Sequence, residues 1–293
     1  MHPVLFDSAW LGSINSYGTL IMLGGMLIGP GVWWDARQRG VSTPFVFLLD
    51  FYLVLIFGSF LGGRLLYVLT SPLEHLADPA RIFDLDEGFV FFGSVLGVVA
   101  GFFVLGRRYE RRVGEICDIL ATWMALSHAF GRAGCFLSGC CWGAPCSPEL
   151  AIAARFPENS VVYLTELVPQ EGAHTIPLHP VQAYEALGLL LLFVVLTSLR
   201  RRRGPERLWV QSSRWALGYG LLRFVTEIFR GDPSRGYLLR VELAPLTTAL
   251  GLPADQPVML SVSQAIGAAL VLVASWYLLA SRSAATRNGP KSP

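Results

Sequence analysis

Apolar stretches long enough to cross a lipid bilayer recur along almost the whole chain, and no other feature restricts its fold so strongly. They run near Ile14–Trp33, Pro44–Leu69, Phe89–Gly106, Glu115–Leu137, Pro180–Leu199, Trp215–Phe229 and Val258–Ala280. Most reach the roughly 18–25 residues that carry a helix across ~30 Å of hydrocarbon. The sixth is the shortest and most polar. Apolar residues run on without period-two alternation, so helices are expected rather than barrel strands. With 53% hydrophobic and only 15% charged residues among 293, no polar stretch is long enough for a second, soluble domain. The expected fold is an all-α membrane protein of one domain, a bundle of seven transmembrane helices with a small extracytoplasmic cap.

Charge in the loops orients that bundle. Arg37 and Arg39 follow the first stretch; Arg107, Arg108, Arg111 and Arg112 follow the third. Arg200, Arg201, Arg202, Arg203 and Arg207 follow the fifth, and Arg282, Arg287 and Lys291 lie in the tail. The intervening loops are longer and carry less: Arg81, then Arg155, then Arg230, Arg235 and Arg240. Positive residues stay inside, so the N-terminus is expected outside and the C-terminus in the cytoplasm. The run at 200–203 reads as a topology anchor, and no nucleic-acid partner is expected. Segments 138–179 and 230–257 then lie outside and supply the cap. The polar tail 281–293 is cytoplasmic and expected to be disordered. The opening MHPVLFDSAWLGS lacks the Lys or Arg of a secretory leader, so the first helix is expected to be retained.

Small residues at Gly25/Gly29, Gly58/Gly62 and Gly93/Gly97/Gly101 suit close helix packing in lipid. The charges inside the spans say more. A central arginine costs about 2.5–3.5 kcal/mol on insertion scales, yet Arg64, Arg132 and Arg223 all fall within apolar stretches. Helix direction brings them to the outer half of the bilayer with Tyr17, Phe92, Tyr184, Glu185, Glu227, Arg230 and Gln264. Tyr219, Arg223 and Glu227 follow at i, i+4 and i+8, with Arg230 at i+11, and so share a helical face; His128 and Arg132 are likewise one turn apart. A buried ion pair between Arg223 and Glu227 is the plainest use of such residues. Arginines outnumber acids in this layer, however, and a guanidinium grips phosphate as a fork. A phospholipid headgroup is the nearest candidate ligand.

These residues resemble the prolipoprotein diacylglyceryl transferase family. The likeness lies in Tyr17-Gly18, LGGRLLYVL at 61–69, GFVFFGSVLG at 88–97 and GRAGCFLSGCCWG at 131–143. It continues through HPVQAYEA at 179–186, GYGLLRFVTEIFR at 218–230 and Ser263-Gln264. It implies a bacterial cytoplasmic (inner) membrane enzyme that moves a diacylglyceryl group from phosphatidylglycerol to the lipobox cysteine thiol of lipoprotein precursors, releasing glycerol phosphate. By resemblance Arg132 and Arg223 are the essential arginines, with Glu227 and Arg230 supporting them. Tyr17 and Tyr184 match site tyrosines, and Arg64, Gly131, Gly134 and Gly143 fall in motifs that line the lipid site. Phe92-Gly93-Ser94 stands where the family has His-Gly-Gly, its proposed base. Cys135, Ser138 and Cys140 replace two asparagines and a glutamate, and Asn15 stands in place of a histidine. The general base is thereby open among Glu227, Tyr17 and a site thiolate.

Four of five cysteines, Cys135, Cys140, Cys141 and Cys146, crowd the same signature; Cys117 lies apart as a packed thiol. On the outer face they are candidates for structural disulfides of unassigned pairing. Alternatively Cys135 or Cys140, beside arginines, is catalytic. A diacylglycerylated enzyme cysteine would be a dead-end thioether, whereas an acylated one could pass its acyl chain on. The rival functions are therefore a cysteine-dependent acyltransferase or thiol-redox membrane protein, and a non-catalytic lipid-binding protein. The spacing C-x4-C-C-x4-C lacks the short pairings of zinc motifs, and His174 and His179 read as loop residues. No metal and no other cofactor is expected.

Overall fold

The computed structural model describes residues 3–8, 12–70, 72, 75, 78, 90–203, 207–233 and 236–287. Arg81, Arg235 and Lys291 lie outside the described residues, as do the side chains of Phe92, Arg202, Arg203, Arg282 and Arg287. The chain is mostly helical. It opens with strands β1 (Val4–Ser8) and β2 (Gly12–Asn15), followed by α1 (Ser16–Gln38), α2 (Pro44–Thr70), α3 (Phe91–Arg108) and α4 (Val113–Ser138). A short α5 (Val161–Leu164), β3 (Gln170–Glu171) and β4 (His174–Thr175) precede α6 (Val181–Arg203) and α7 (Val210–Thr226). A 3-10 turn (Glu227–Phe229), β5 (Tyr237–Glu242), α8 (Ala244–Ala249), β6 (Pro257–Ser261) and α9 (Val262–Arg287) complete it. By length and composition Pro44–Thr70, Val181–Arg201 and Val262–Ser281 can each cross a membrane.

Several boundaries differ from the sequence expectation, each for a local reason. Helix α1 starts at Ser16 rather than Ile14 because Gly12–Asn15 pairs antiparallel with Val4–Ser8. The Ser16 N–H and hydroxyl both donate to the Pro3 carbonyl. Helix α9 starts at Val262 rather than Val258 because Pro257–Ser261 pairs with β5. Ser261 and Gln264 then form a reciprocal cap: the Gln264 N–H donates to Ser261 Oγ at 3.1 Å, and the Ser261 N–H to Gln264 Oε1 at 2.9 Å. At its other end α9 continues to Arg287, so 281–287 are helical where a disordered tail was expected. Helix α7 begins at Val210, five residues before the expected Trp215, and tightens to a 3-10 turn over Glu227–Phe229.

The chain divides into two compact units, 1–28 with 121–293, and 29–120. In the second, α2 and α3 cross backbone to backbone. A Cβ added to Gly97 would lie 2.0 Å from the Gly58 carbonyl oxygen, and one on Gly62 2.3 Å from that of Gly93. Only glycine allows that approach. Phe47, Phe51 and Phe102 are fully buried beside it, and Arg64 is buried on α2 with its guanidinium over the Tyr67 ring.

In the first unit α7 and α9 meet at Gly220 and Gly267, while Gly188 and Gly218 receive Leu222 and Leu192 across the α6–α7 contact. Helix α1 approaches α4 at Gly24, against Phe130 and Ser127, whereas a Cβ on Gly25 would meet open space. Residues 139–179 fold on a small core of Trp142, Ala154, Phe156, Val162, Val168 and Leu178. Burial on the helices is inverted relative to a water-soluble protein. Leu187, Leu191, Leu272 and Trp276 face outward, while Glu185, Gln211, Glu227 and Gln264 are buried. That arrangement suits a hydrocarbon surround.

Candidate functional site

The first unit concentrates buried charge at one place. Arg132 comes from α4, Glu185 from α6, Arg223 from α7 and Glu227 from the turn after it. Glu185 joins the arginines: Oε2 lies 2.5 Å from Arg132 Nε, and Oε1 2.5 Å from Arg223 Nη1. The Thr226 hydroxyl donates to the same Oε1 at 3.0 Å. Arg223 Nη2 lies 2.6 Å from Glu227 Oε2 and donates to Ser263 Oγ at 3.2 Å. The Arg223–Glu227 pair expected from i, i+4 spacing is present. The Glu185 side chain is only 3% exposed, so these ion pairs are held out of solvent.

The two arginines are engaged differently. Arg223 is spent on protein at both Nη groups. Arg132 makes its ion pair through a buried Nε and donates no aligned hydrogen bond to any described residue. Among the described residues none accepts a hydrogen bond from its Nη groups, and its side chain keeps 16% exposure. His128, one turn before Arg132, lays its ring 5.4 Å from that of Tyr219, which stacks on Trp215.

The expected shared face does not extend to Arg230. The helix has ended, and Arg230 sits in a β-bridge with Gly143 while forking onto Asp232 at 2.7 and 2.5 Å. Gly231 and Pro233 explain the break. Burial works against the Arg230 charge, but Asp232 outweighs it and raises the guanidinium above its ordinary range. Among the described residues of this unit, Arg132, Arg223 and Arg230 each meet a carboxylate, from Glu185, Glu227 and Asp232.

The remaining expected residues fall around this cluster or apart from it. Tyr17 opens α1 with its backbone against Gly134, where a Cβ would lie 3.2 Å from Tyr17 Cα; Gly131 faces Ile21 more loosely. Gly143 is a point of backbone crowding, where a Cβ would lie 2.1 Å from the His179 carbonyl oxygen. Tyr184 reaches His179 Nδ1 at 3.2 Å, and both rings pack on Phe229. Burial lowers the affinity of His179 for a proton. Arg64, and the backbone of Phe92, belong to the other unit.

The cysteines proposed for disulfides are unbridged, all five carrying free thiols. Cys135 lies in the last turn of α4, and Gly139, at φ +77, reverses the chain so that the Sγ atoms of Cys135, Cys140 and Cys141 come within 4.8 Å of one another. Ser138 Oγ donates to Cys140 Sγ at 3.3 Å. Hydrogen bonds from the Cys135 and Cys140 thiols hold the Cys141 thiol below its usual range, with Arg132 and Arg230 acting in the same sense. Cys146 stands outside the group, its N–H donating to Pro177, and burial raises its thiol. From sequence, Glu185 stands in the polar layer without a role, Thr226 and Ser263 appear only inside the quoted motifs, and Asp232 is not singled out at all. An acid inside the apolar run AYEALGLLLL is the signal that marks Glu185.

With this geometry in view, comparison with known proteins is informative. A family model described as prolipoprotein diacylglyceryl transferase matches residues 3–280. A phosphatidylglycerol–prolipoprotein diacylglyceryl transferase of Clostridium tetani is 31% identical over 236 residues, covering 80% of this chain and 87% of the relative. A protein of the same name from Methylibium petroleiphilum is 38% identical over 197 residues, covering 66% and 68%. One from Clostridium perfringens, numbered 2, is 30% identical over 226 residues, covering 75% and 80%.

Proposed function

The chain belongs to the prolipoprotein diacylglyceryl transferase family, and from that premise we propose that it transfers a diacylglyceryl group from phosphatidylglycerol to the cysteine thiol of a prolipoprotein. The observation that carries this reading is Arg132 on α4, held at Nε by Glu185 and making no hydrogen bond through its Nη groups to any described residue. A guanidinium in that state accepts a phosphodiester as a fork and stabilises the charge gathering on the departing phosphate. Sulfur attacks the glyceryl carbon, the carbon–oxygen bond to phosphate breaks, and glycerol phosphate leaves. Arg223, Glu185 and Glu227 hold Arg132 in place, with Arg230 and Asp232 steadying the loop beside them. Tyr17, Tyr184, Gly131, Gly134, Gly143 and Arg64 belong to the surroundings of the lipid.

The same reading takes all the long helices as spans, seven in number, in the bacterial inner membrane. The N-terminus and the folded segment 139–179 lie outside, and the C-terminus in the cytoplasm. Incubation of the purified protein with phosphatidylglycerol and a lipobox peptide, followed by mass spectrometry, tests the proposal. Glycerol phosphate and a thioether-linked peptide are expected, both lost in Arg132→Ala. An acylated protein cysteine with unmodified peptide would instead establish the acyltransferase alternative.

A further inference from the structure

The reaction needs a deprotonated acceptor thiol, and the carboxylates of the site are badly placed to generate one. Glu185 and Glu227 are each committed to arginine. His128 lies a turn before Arg132 along α4, while the thiols begin nearly a turn after it. Three thiols stand on that second side, and the phosphate chemistry has no use for them. We propose that Cys135, Cys140 and Cys141 form a three-thiolate site for zinc, or a similar thiophilic divalent cation, whose fourth position takes the acceptor thiol. The inference rests on the diacylglyceryl-transfer reading above.

Geometry carries it. Zinc–sulfur bonds of about 2.3 Å in a tetrahedron place sulfurs about 3.8 Å apart. The three Sγ atoms already lie within 4.8 Å of one another, so a small contraction closes the site. The turn that assembles them is fixed from several directions. The Cys135 carbonyl accepts from the N–H groups of Gly139 and Cys140 at 2.9 and 3.1 Å and from the Ser138 hydroxyl at 3.2 Å. Gln182 Nε2 donates to the Cys140 carbonyl at 2.8 Å. Cys141 itself has φ +55, a conformation costing a non-glycine residue about 1–3 kcal/mol, and such strain gathers at functional sites.

The ligand count and the charge agree with a working site. Structural zinc sites are closed by four protein ligands, whereas three leave a position for substrate. Three thiolates around a divalent cation carry one net negative charge, raised to two by a bound acceptor thiolate. Arg132, three residues before Cys135, and Arg230, bridged to Gly143, are cations near that excess, each also paired with a carboxylate. Spacing hid the site because Gly139 folds back a ligand set that no C-x-x-C pair announces.

The chemistry balances without any oxidant. On joining the cation the peptide thiol gives up its proton, since a metal-bound thiol is deprotonated outright. Its sulfur forms the carbon–sulfur bond as the carbon–oxygen bond breaks, the electron pair passing to the phosphate oxygen. The released proton is matched by the one the phosphate monoester takes up. The product is a neutral thioether, a weaker zinc ligand than a thiolate, so the fourth position opens again.

Titration of the reduced full-length protein in detergent with cadmium, followed by thiolate-to-metal absorbance, tests the proposal. One ion per chain is expected. The band should be lost in Cys135→Ser, Cys140→Ser and Cys141→Ser, and kept in Cys146→Ser and Cys117→Ser, with melting curves showing that each variant is folded. Adding a lipobox peptide should strengthen the band by about one-third, the step from three thiolates to four, and the peptide with serine in place of cysteine should not. A folded wild-type protein with no band, a band that survives removal of all three cysteines, or one indifferent to the cysteine peptide would overturn the site. Transfer assays on metal-stripped protein separate the two readings. Undiminished glycerol phosphate release removes the metal site and leaves the transferase; a peptide-responsive band without release under any condition does the reverse.

Discussion

Replacing Glu185 by glutamine removes the one charge that serves both arginines. In the wild type each Glu185 oxygen lies 2.5 Å from an arginine nitrogen, on a side chain 3% exposed. Unit charges at about 4 Å interact by about 4 kcal/mol at an effective dielectric constant of ~20. Removing one partner of a buried pair typically costs about 3–5 kcal/mol, because the other charge is stranded. Arg223 keeps Glu227 and Ser263, so the stranded cation is Arg132. The Glu185→Gln variant should therefore lose about 3–5 kcal/mol of stability. Its glycerol phosphate release should also fall by about 100-fold, the effect expected of a catalytic group displaced by ~1 Å.

A double variant, Glu185→Gln with Arg132→Gln, separates stability from chemistry. Neutralising the stranded cation should restore much of the lost stability, read as melting in detergent, while transfer stays lost. Glu185→Asp, one methylene shorter, should satisfy one arginine and fall between. Wild-type transfer by Glu185→Gln, or transfer regained in the double variant, would refute the assignment of Glu185 as the residue that positions Arg132.

Three further outcomes are expected. Arg132→Lys keeps the charge but not the planar fork, so glycerol phosphate release should fall at least about tenfold with near-normal melting, whereas Arg223→Lys, which breaks two protein-directed arms, should lower melting as well. Gly97→Ala puts a Cβ 2.0 Å from the Gly58 carbonyl oxygen and should cost about 1–3 kcal/mol or more, seen as earlier thermal unfolding of the membrane protein. The proton affinity of His179 is lowered by burial, so its folded pKa lies below the ordinary ~6.5. Its contribution to stability is complete above about pH 6.5 and is lost as pH falls from there toward the folded value; melting should drop on acidification, less steeply in His179→Gln.

Much of the helical framework could be read from the chain because lipid imposes a length and composition on every span. The starts of α1 and α9 could not, since each is set by the strand just before it pairing with another strand. For α9 a local signal existed: Ser261 and Gln264 are spaced as a capping box, overlooked inside an apolar run. Gly24 rather than Gly25 as the packing position shows the limit of spacing arguments, because a glycine pattern does not reveal which face meets a neighbour.

At the site, residue types and their spacing identified the charges but not their balance. Counting arginines in a layer suggested a free cationic surface; the pairs with Glu185, Glu227 and Asp232 leave the net charge near zero. An anion is then drawn less by net charge than by donors still unused. That criterion separates Arg132 from Arg223, which resemblance alone treats as equals. Both are largely buried, and a buried guanidinium needs a carboxylate to remain there. Glu185 meets that need for both with a single charge. The sharing attaches Arg132 by its Nε edge and, in the function proposed above, leaves the Nη edge to meet phosphate.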